Sequence, residues 1–136
     1  MPRNLRISPD AANLEADATC ALLDGGYLRI YDGEQPDSPV AAARGQRLLA
    51  ELRFGTPAFK LALEGRANAN PIKPEPSAKA QGQPRWFRCL RADGGTGVMD
   101  GSVGREDSDL RLSVEVIVEG MEVHVDGFIY KRPMSK

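Results

Sequence analysis

The stretch Leu110-Arg111-Leu112-Ser113-Val114-Glu115-Val116-Ile117-Val118-Glu119-Gly120-Met121-Glu122-Val123-His124-Val125 closes the chain and decides its class. Leu110, Leu112, Val114, Val116 and Val118 alternate with polar or charged residues except at Ile117, Glu119-Gly120 makes a tight turn, and Met121, Val123 and Val125 resume the alternation. Side chains on a strand point to opposite faces in turn, so this pattern predicts a β-hairpin with one buried face. If Val118 faces Met121, then Val116 meets Val123 and Val114 meets Val125, which places the hairpin at the centre of the core. The same register sets His124 across from Glu115 on the polar face.

Upstream of this hairpin the chain reads as short strands separated by turn signals. Arg85 to Arg91 and Thr96 to Val103 flank the turn Ala92 to Gly95, and Tyr27 to Tyr31 alternates before the turn dipeptide Asp32-Gly33. Arg47 to Phe54 fits both periods; Gly55 and Pro57 end it quickly, which favours a strand, and a further β-run follows at Phe59 to Glu64. Glu34 to Gly45, with Pro36 and Pro39, reads as loop. One helix is expected at the start: Ser8 can cap it, Pro9 suits its first position, Leu14, Ala18, Ala21 and Leu22 form an apolar face, and Gly25-Gly26 supplies the stop. About seven short strands with turns between them predict a mainly all-β chain, a β-sandwich or small jelly-roll-like barrel of antiparallel strands with one N-terminal α-helix.

The expected organisation is an arm and helix over 1–24 and a single β-sandwich domain over 25–136. Within that domain, residues 65–84 hold Pro71, Pro74, Pro76 and Pro84 with Ile72 as the one large apolar residue. Proline cannot donate to a ladder, so this span reads as a proline-rich excursion rather than a central strand. In an assembling protein such an excursion is a natural contact between subunits, and Pro71, Ile72, Pro74, Pro76 and Trp86 are the candidate contact residues. A solvent-exposed loop is the competing reading.

Length and composition narrow the classes. At 136 residues the chain suits one domain. Its 18 basic and 19 acidic residues leave a net charge of -1, so no global field draws it to a polyanion, and nucleic acid is disfavoured as a partner. There is no apolar run long enough to cross a membrane, and Met1 to Ile7 lacks the core of a secretion signal, so synthesis and folding in the cytoplasm is the expectation. Cys20 and Cys89 have no metal-ligand spacing and read as buried free thiols.

Residues capable of chemistry are scattered. His124 is the lone histidine, and one histidine on an alternating strand makes a cross-strand pair more readily than a catalytic site. Asp93, Asp100, Asp107 and Asp109 lie near glycines but follow no calcium-loop order, and aspartate before glycine stabilises turns. Gly94-Gly95-Thr96-Gly97 lacks the lysine and helix of a phosphate loop and reads as a hairpin. Trp86 and Phe87 point to opposite faces of a strand, so they form no single stacking platform. No catalytic, metal or cofactor-binding residue is assigned, and no cofactor is expected.

Several strings taken together resemble a family of small proteins encoded among the virion structural genes of tailed bacteriophages and prophages. They are Gly25-Gly26-Tyr27-Leu28-Arg29-Ile30-Tyr31-Asp32-Gly33-Glu34-Gln35-Pro36, Leu48-Leu49-Ala50-Glu51-Leu52-Arg53-Phe54, Pro57-Ala58-Phe59, Ala69-Asn70, Trp86-Phe87-Arg88, Val98-Met99-Asp100-Gly101-Ser102-Val103-Gly104 and Asp109-Leu110-Arg111-Leu112. The resemblance covers about Gly25 to the C-terminus; the Pro71 to Pro84 insert and the basic end Lys131-Arg132-Pro133 depart from it. It implies a non-enzymatic structural protein of the virion, docked on the capsid as decoration or at the head-to-tail junction. The implied partners are other copies of itself and the major capsid, portal, neck or tail proteins. The alternative is a tail-associated module that binds host glycans through exposed aromatic residues.

Overall fold

A computed structural model describes residues 3–105 and 108–131. It is a mainly β domain with one helix, α1 (Pro9–Ala21), and seven strands: β1 (Tyr27–Tyr31), β2 (Leu48–Arg53), β3 (Arg66–Asn68), β4 (Trp86–Leu90), β5 (Gly97–Gly104), β6 (Leu110–Arg111) and β7 (Gly127–Lys131). The strands join in one open mixed sheet of order β2-β1-β4-β5-β6-β7-β3. Neighbours are antiparallel except β5 and β6, which run parallel through Val103 opposite Leu110 and Gly104 opposite Arg111. The sheet folds over itself in a sandwich-like way. Phe87 of β4 meets Phe128 of β7 edge-on with ring centroids 5.2 Å apart, and Phe128 also meets Phe59 at 5.5 Å.

Ser8 starts α1 as its sequence predicts: its Oγ accepts the Ala11 N–H at 3.1 Å, and Pro9 follows. The helix ends in a turn in which Gly25 takes a positive φ of 66° and Gly26 packs so closely that a Cβ there would lie 2.1 Å from the Leu90 carbonyl oxygen. The face presented to the core is not the apolar stripe read from the sequence. Ala16, Cys20 and Leu23 are buried, whereas Leu14, Ala18, Ala21 and Leu22 face solvent. The small residues Ala16 and Cys20 let the helix approach β3 and β7 closely, and Leu23, just past its end, fills the core. The helix thus shares the core of the strands, with no boundary at residue 24.

The closing hairpin also differs from expectation. Its turn forms, with the Met121 N–H donating to the Val118 carbonyl at 3.1 Å, but its two arms pair with another partner. Ile117 and Gly82 exchange bonds of 2.8 and 2.9 Å, the Ala78 N–H donates to the Met121 carbonyl at 2.7 Å, and Val123 and Glu75 exchange two bonds of 2.9 Å. The partner is the proline-rich span itself, which also bridges the edge of β2 through Lys73 with Arg53 and Lys79 with Leu49. The expected excursion 65–84 thus contains a strand of the sheet, β3, and its residues 73–82 are stitched between β2 and the closing segment instead of looping away. Their contacts remain isolated bridges because proline interrupts the ladder. This pairing turns Ile117 and Val123 inward and leaves Val116 and Val118 about half exposed, at 50% and 51%. A shift of one residue exchanges the faces of a strand, which is why the predicted face at Val116 is reversed.

A second hairpin was hidden at 59–69. Leu63 and Arg66 exchange bonds across Glu64-Gly65, both at positive φ (55° and 74°), the conformation of the tight turn that matches strand twist. The expected strand Phe59 to Glu64 is reduced to two isolated bridges, Phe59 with Ala69 and Leu63 with Arg66. This strip covers the outer edge of β3, as residues 73–79 cover that of β2, and a covered edge does not template pairing with other chains.

Candidate interaction surface

Across the outer face of β2, β1, β4 and β5 runs a row of four charges: Glu51, Arg29, Arg88 and Asp100, each opposite the next in register. The two arginines are neighbours, and each is neutralised from its far side. Arg29 Nε donates to Glu51 Oε2 at 2.7 Å, while Arg88 holds Asp100 with two bonds of 2.8 and 3.0 Å. Arg88 also donates to the carbonyls of Ala41 at 2.6 Å and Ser38 at 3.2 Å, so the loop after β1 is clamped over the sheet by a buried guanidinium. The hydrogen bonds that Arg88 donates to Asp100 raise its pKa above the ordinary value against the opposing effect of burial. Every charge in the row has a partner, which makes it structural.

The sequence candidates fall mainly into the same category. Trp86 is 1% exposed, stacks on Tyr31 at 4.4 Å and donates its indole N–H to the Asp32 carbonyl at 3.0 Å, so it offers no surface for a subunit contact. Pro71 and Pro76 are exposed, Ile72 and Pro74 half-buried. His124 does not face Glu115: its Nε2 lies 3.6 Å from Asp126, and Glu115 pairs with Arg105 at 3.0 Å. Asp93 accepts from the Gly95 and Thr96 amides and the Thr96 hydroxyl, bonds that hold its pKa down at about 2 and mark a turn former. Asp109 accepts from the Ser102 amide and hydroxyl, and Asp107 lies outside the described residues. Among the described residues no cluster of three metal-ligating side chains occurs.

The surface that stands apart is built by α1 and the loop before β3. Asn13, Asp17 and Asp24 recur at near-integral helical turns, so their oxygens line one side of the helix. They accept the backbone amides of Gly65 at 2.9 Å, Ala62 at 2.7 Å and Ala58 at 2.7 Å. Residues 58–65 are thereby zipped antiparallel along the helix. Ala58 and Ala62 turn inward, while Leu61 and Leu63 are left 80% and 75% exposed beside Leu14, itself 68% exposed. Between helix and loop lies a shallow groove lined by Asp17, Cys20, Ala21, Asp24, Pro57, Phe59, Lys60 and Leu61. Burial pushes the Cys20 thiol up to about 12, and the Asp17 and Asp24 carboxylates add to the shift. The thiol is thus a protonated, unreactive part of an apolar floor rimmed by carboxylates. Sequence reasoning recognised the stripe Leu14, Ala18, Ala21 and Leu22 and left open whether it packs on the chain's own sheet or on a neighbouring subunit. The Asn13, Asp17, Asp24 spacing was the signal available for the zipper.

No protein-family model, curated protein or solved structure matches the chain.

Proposed function

We propose that this chain is a non-enzymatic structural component of a tailed-phage particle, docked on the capsid or at the head-to-tail junction and working by contact with its neighbours. The observation that carries this reading is the helix–loop face, where Leu14 on α1 and Leu61 and Leu63 on the loop zipped along it stand 68%, 80% and 75% exposed. Contiguous apolar surface of this kind marks an interaction site. The resemblance of the strings around β1, β2, β4 and β5 to virion proteins supports the particle as its setting. The glycan-binding alternative needs exposed aromatic rings, and it loses its support here. Seven of the eight rings are buried, and the half-buried Tyr27 is covered by the Arg53 guanidinium 4.6 Å from its centroid.

Mass spectrometry of purified particles, calibrated against the major capsid protein, tests the reading. Copy numbers in the hundreds are expected for decoration and about a dozen or fewer for a neck or tail component; absence from washed particles overturns it.

A further inference from the structure

Of the ten large apolar residues exposed among the described residues, six belong to α1 and the segments that flank it: Leu5 and Ile7 before the helix, Leu14 on it, Leu22 at its end, and Leu61 and Leu63 on the loop zipped along it. Two parts of this region are complementary. The arm Arg3-Asn4-Leu5-Arg6-Ile7 carries two arginines and no acid, makes no hydrogen bond with the rest of the described chain, and leaves Leu5 94% exposed. The helical segment from Ser8 to Gly26 carries Asp10, Glu15, Asp17 and Asp24 and no base. Asp17 and Asp24 each hold a loop amide through Oδ1.

We propose that two copies of this chain associate by exchanging arms, with residues 3–7 of one copy lying in the helix–loop groove of the other. Leu5 and Ile7 cover Ala21, Pro57 and Leu61, and Arg3 and Arg6 meet the carboxylates on the rim. Lys60 is the one cation lining the groove, so the carboxylates outnumber it.

The arm's own groove is a poor destination. Ser8 is extended, with φ -69° and ψ 159°, so the chain would have to reverse there to return along its own helix. Five extended residues span about 17 Å, whereas Ser8 to Ala21 along α1 is already about 20 Å, and Asp24 lies past its end. A second copy has no such constraint. A two-fold pair also uses both arms and both grooves at once, so each contact raises the effective concentration of the other.

Sedimentation equilibrium of the full chain at low salt and at about 0.5 M salt, where exposed charges are screened, provides the first arm of the test. A dimer is expected whose dissociation constant rises at least tenfold with salt. The same loss is expected for the double variant Arg3→Glu, Arg6→Glu, with an unchanged melting temperature because Arg3 and Arg6 are exposed. In the second arm, Leu5→Cys and Leu61→Cys are made in separate chains, mixed and oxidised; the buried Cys20 and Cys89 do not compete. A disulfide joining one chain of each kind supports exchange. A chain that stays monomeric at every concentration, or a dimer indifferent to both the charge reversal and the salt, overturns it. The outcome is independent of the particle reading, since a dimer in solution neither requires nor implies a virion.

Discussion

The two halves of the sheet are held together in different ways. Strands β2, β1, β4 and β5 form continuous ladders with a buried phenylalanine layer on one face and a paired row of charges on the other. Residues 73–82 and 117–123 are joined by single bridges at intervals, with proline between them. The first half has its order written in local alternation. In the second, each segment takes its orientation from a partner more than thirty residues away in sequence, as Glu75 and Val123 do.

The sharpest way to break the first half is to remove one member of its buried ion pair. The Arg88 and Asp100 side chains are 9% and 2% exposed, so Asp100→Ala leaves a guanidinium desolvated and the Ser38 to Ala41 loop anchored to an uncompensated charge. Breaking such a pair costs about 3–5 kcal/mol. Denaturant unfolding should register this loss. Replacing both residues with apolar ones, Arg88→Met with Asp100→Leu, should recover part of it, because the stranded charge is then gone. Equal stability of Asp100→Ala and the parent chain would mean that the row is solvated and unimportant.

The second half is tested by two neighbouring residues. Ile117 is fully buried by its bridge to Gly82, and Ile117→Ala should cost about 2–4 kcal/mol through lost burial and a residual cavity. Val116→Ala, one residue away on the solvent side, should stay within about 0.5 kcal/mol. The opposite order of effects would restore the simple hairpin, with Val116 facing Val123 in the core.

This pair also marks how far the sequence can be read. Four strands, β1, β2, β4 and β5, and the cap of α1 were legible because alternation, turn dipeptides and Ser8-Pro9 act locally. The short β3 and β7 were not legible. Arg66-Ala67-Asn68 is too brief to show a period, and Gly127-Phe128-Ile129-Tyr130-Lys131 was overshadowed by the stronger valine alternation before it. That alternation misled because Val114, Val116, Val118 and the adjacent Ile117 allow two registers, and only the remote Gly82 decides between them. For the surface, the leucine stripe on α1 was visible but its direction was not, since Ala16 and Cys20 were inward for steric reasons that depend on β3 and β7.

The smallest expected effect concerns a turn within the well-read half. The Asp93 carboxylate is an exposed group that accepts three bonds closing the turn between β4 and β5, and its pKa falls from the ordinary 3.8 to about 2. Those bonds favour the ionised form in the folded chain, so the folded state binds fewer protons there than the unfolded one as acid is added. Its stabilisation is therefore fully present above about pH 4 and is lost as the pH falls through about 2. Asp93→Asn retains an acceptor but removes the titration. Melting curves recorded from pH 6 to pH 2 should show the parent chain losing slightly more stability over the lower half of that range than the variant, with the two ordered parent above variant at neutral pH. Parallel curves across the whole range would mean that the turn is held by the backbone bonds of Arg91 with Gly94 and Thr96 alone.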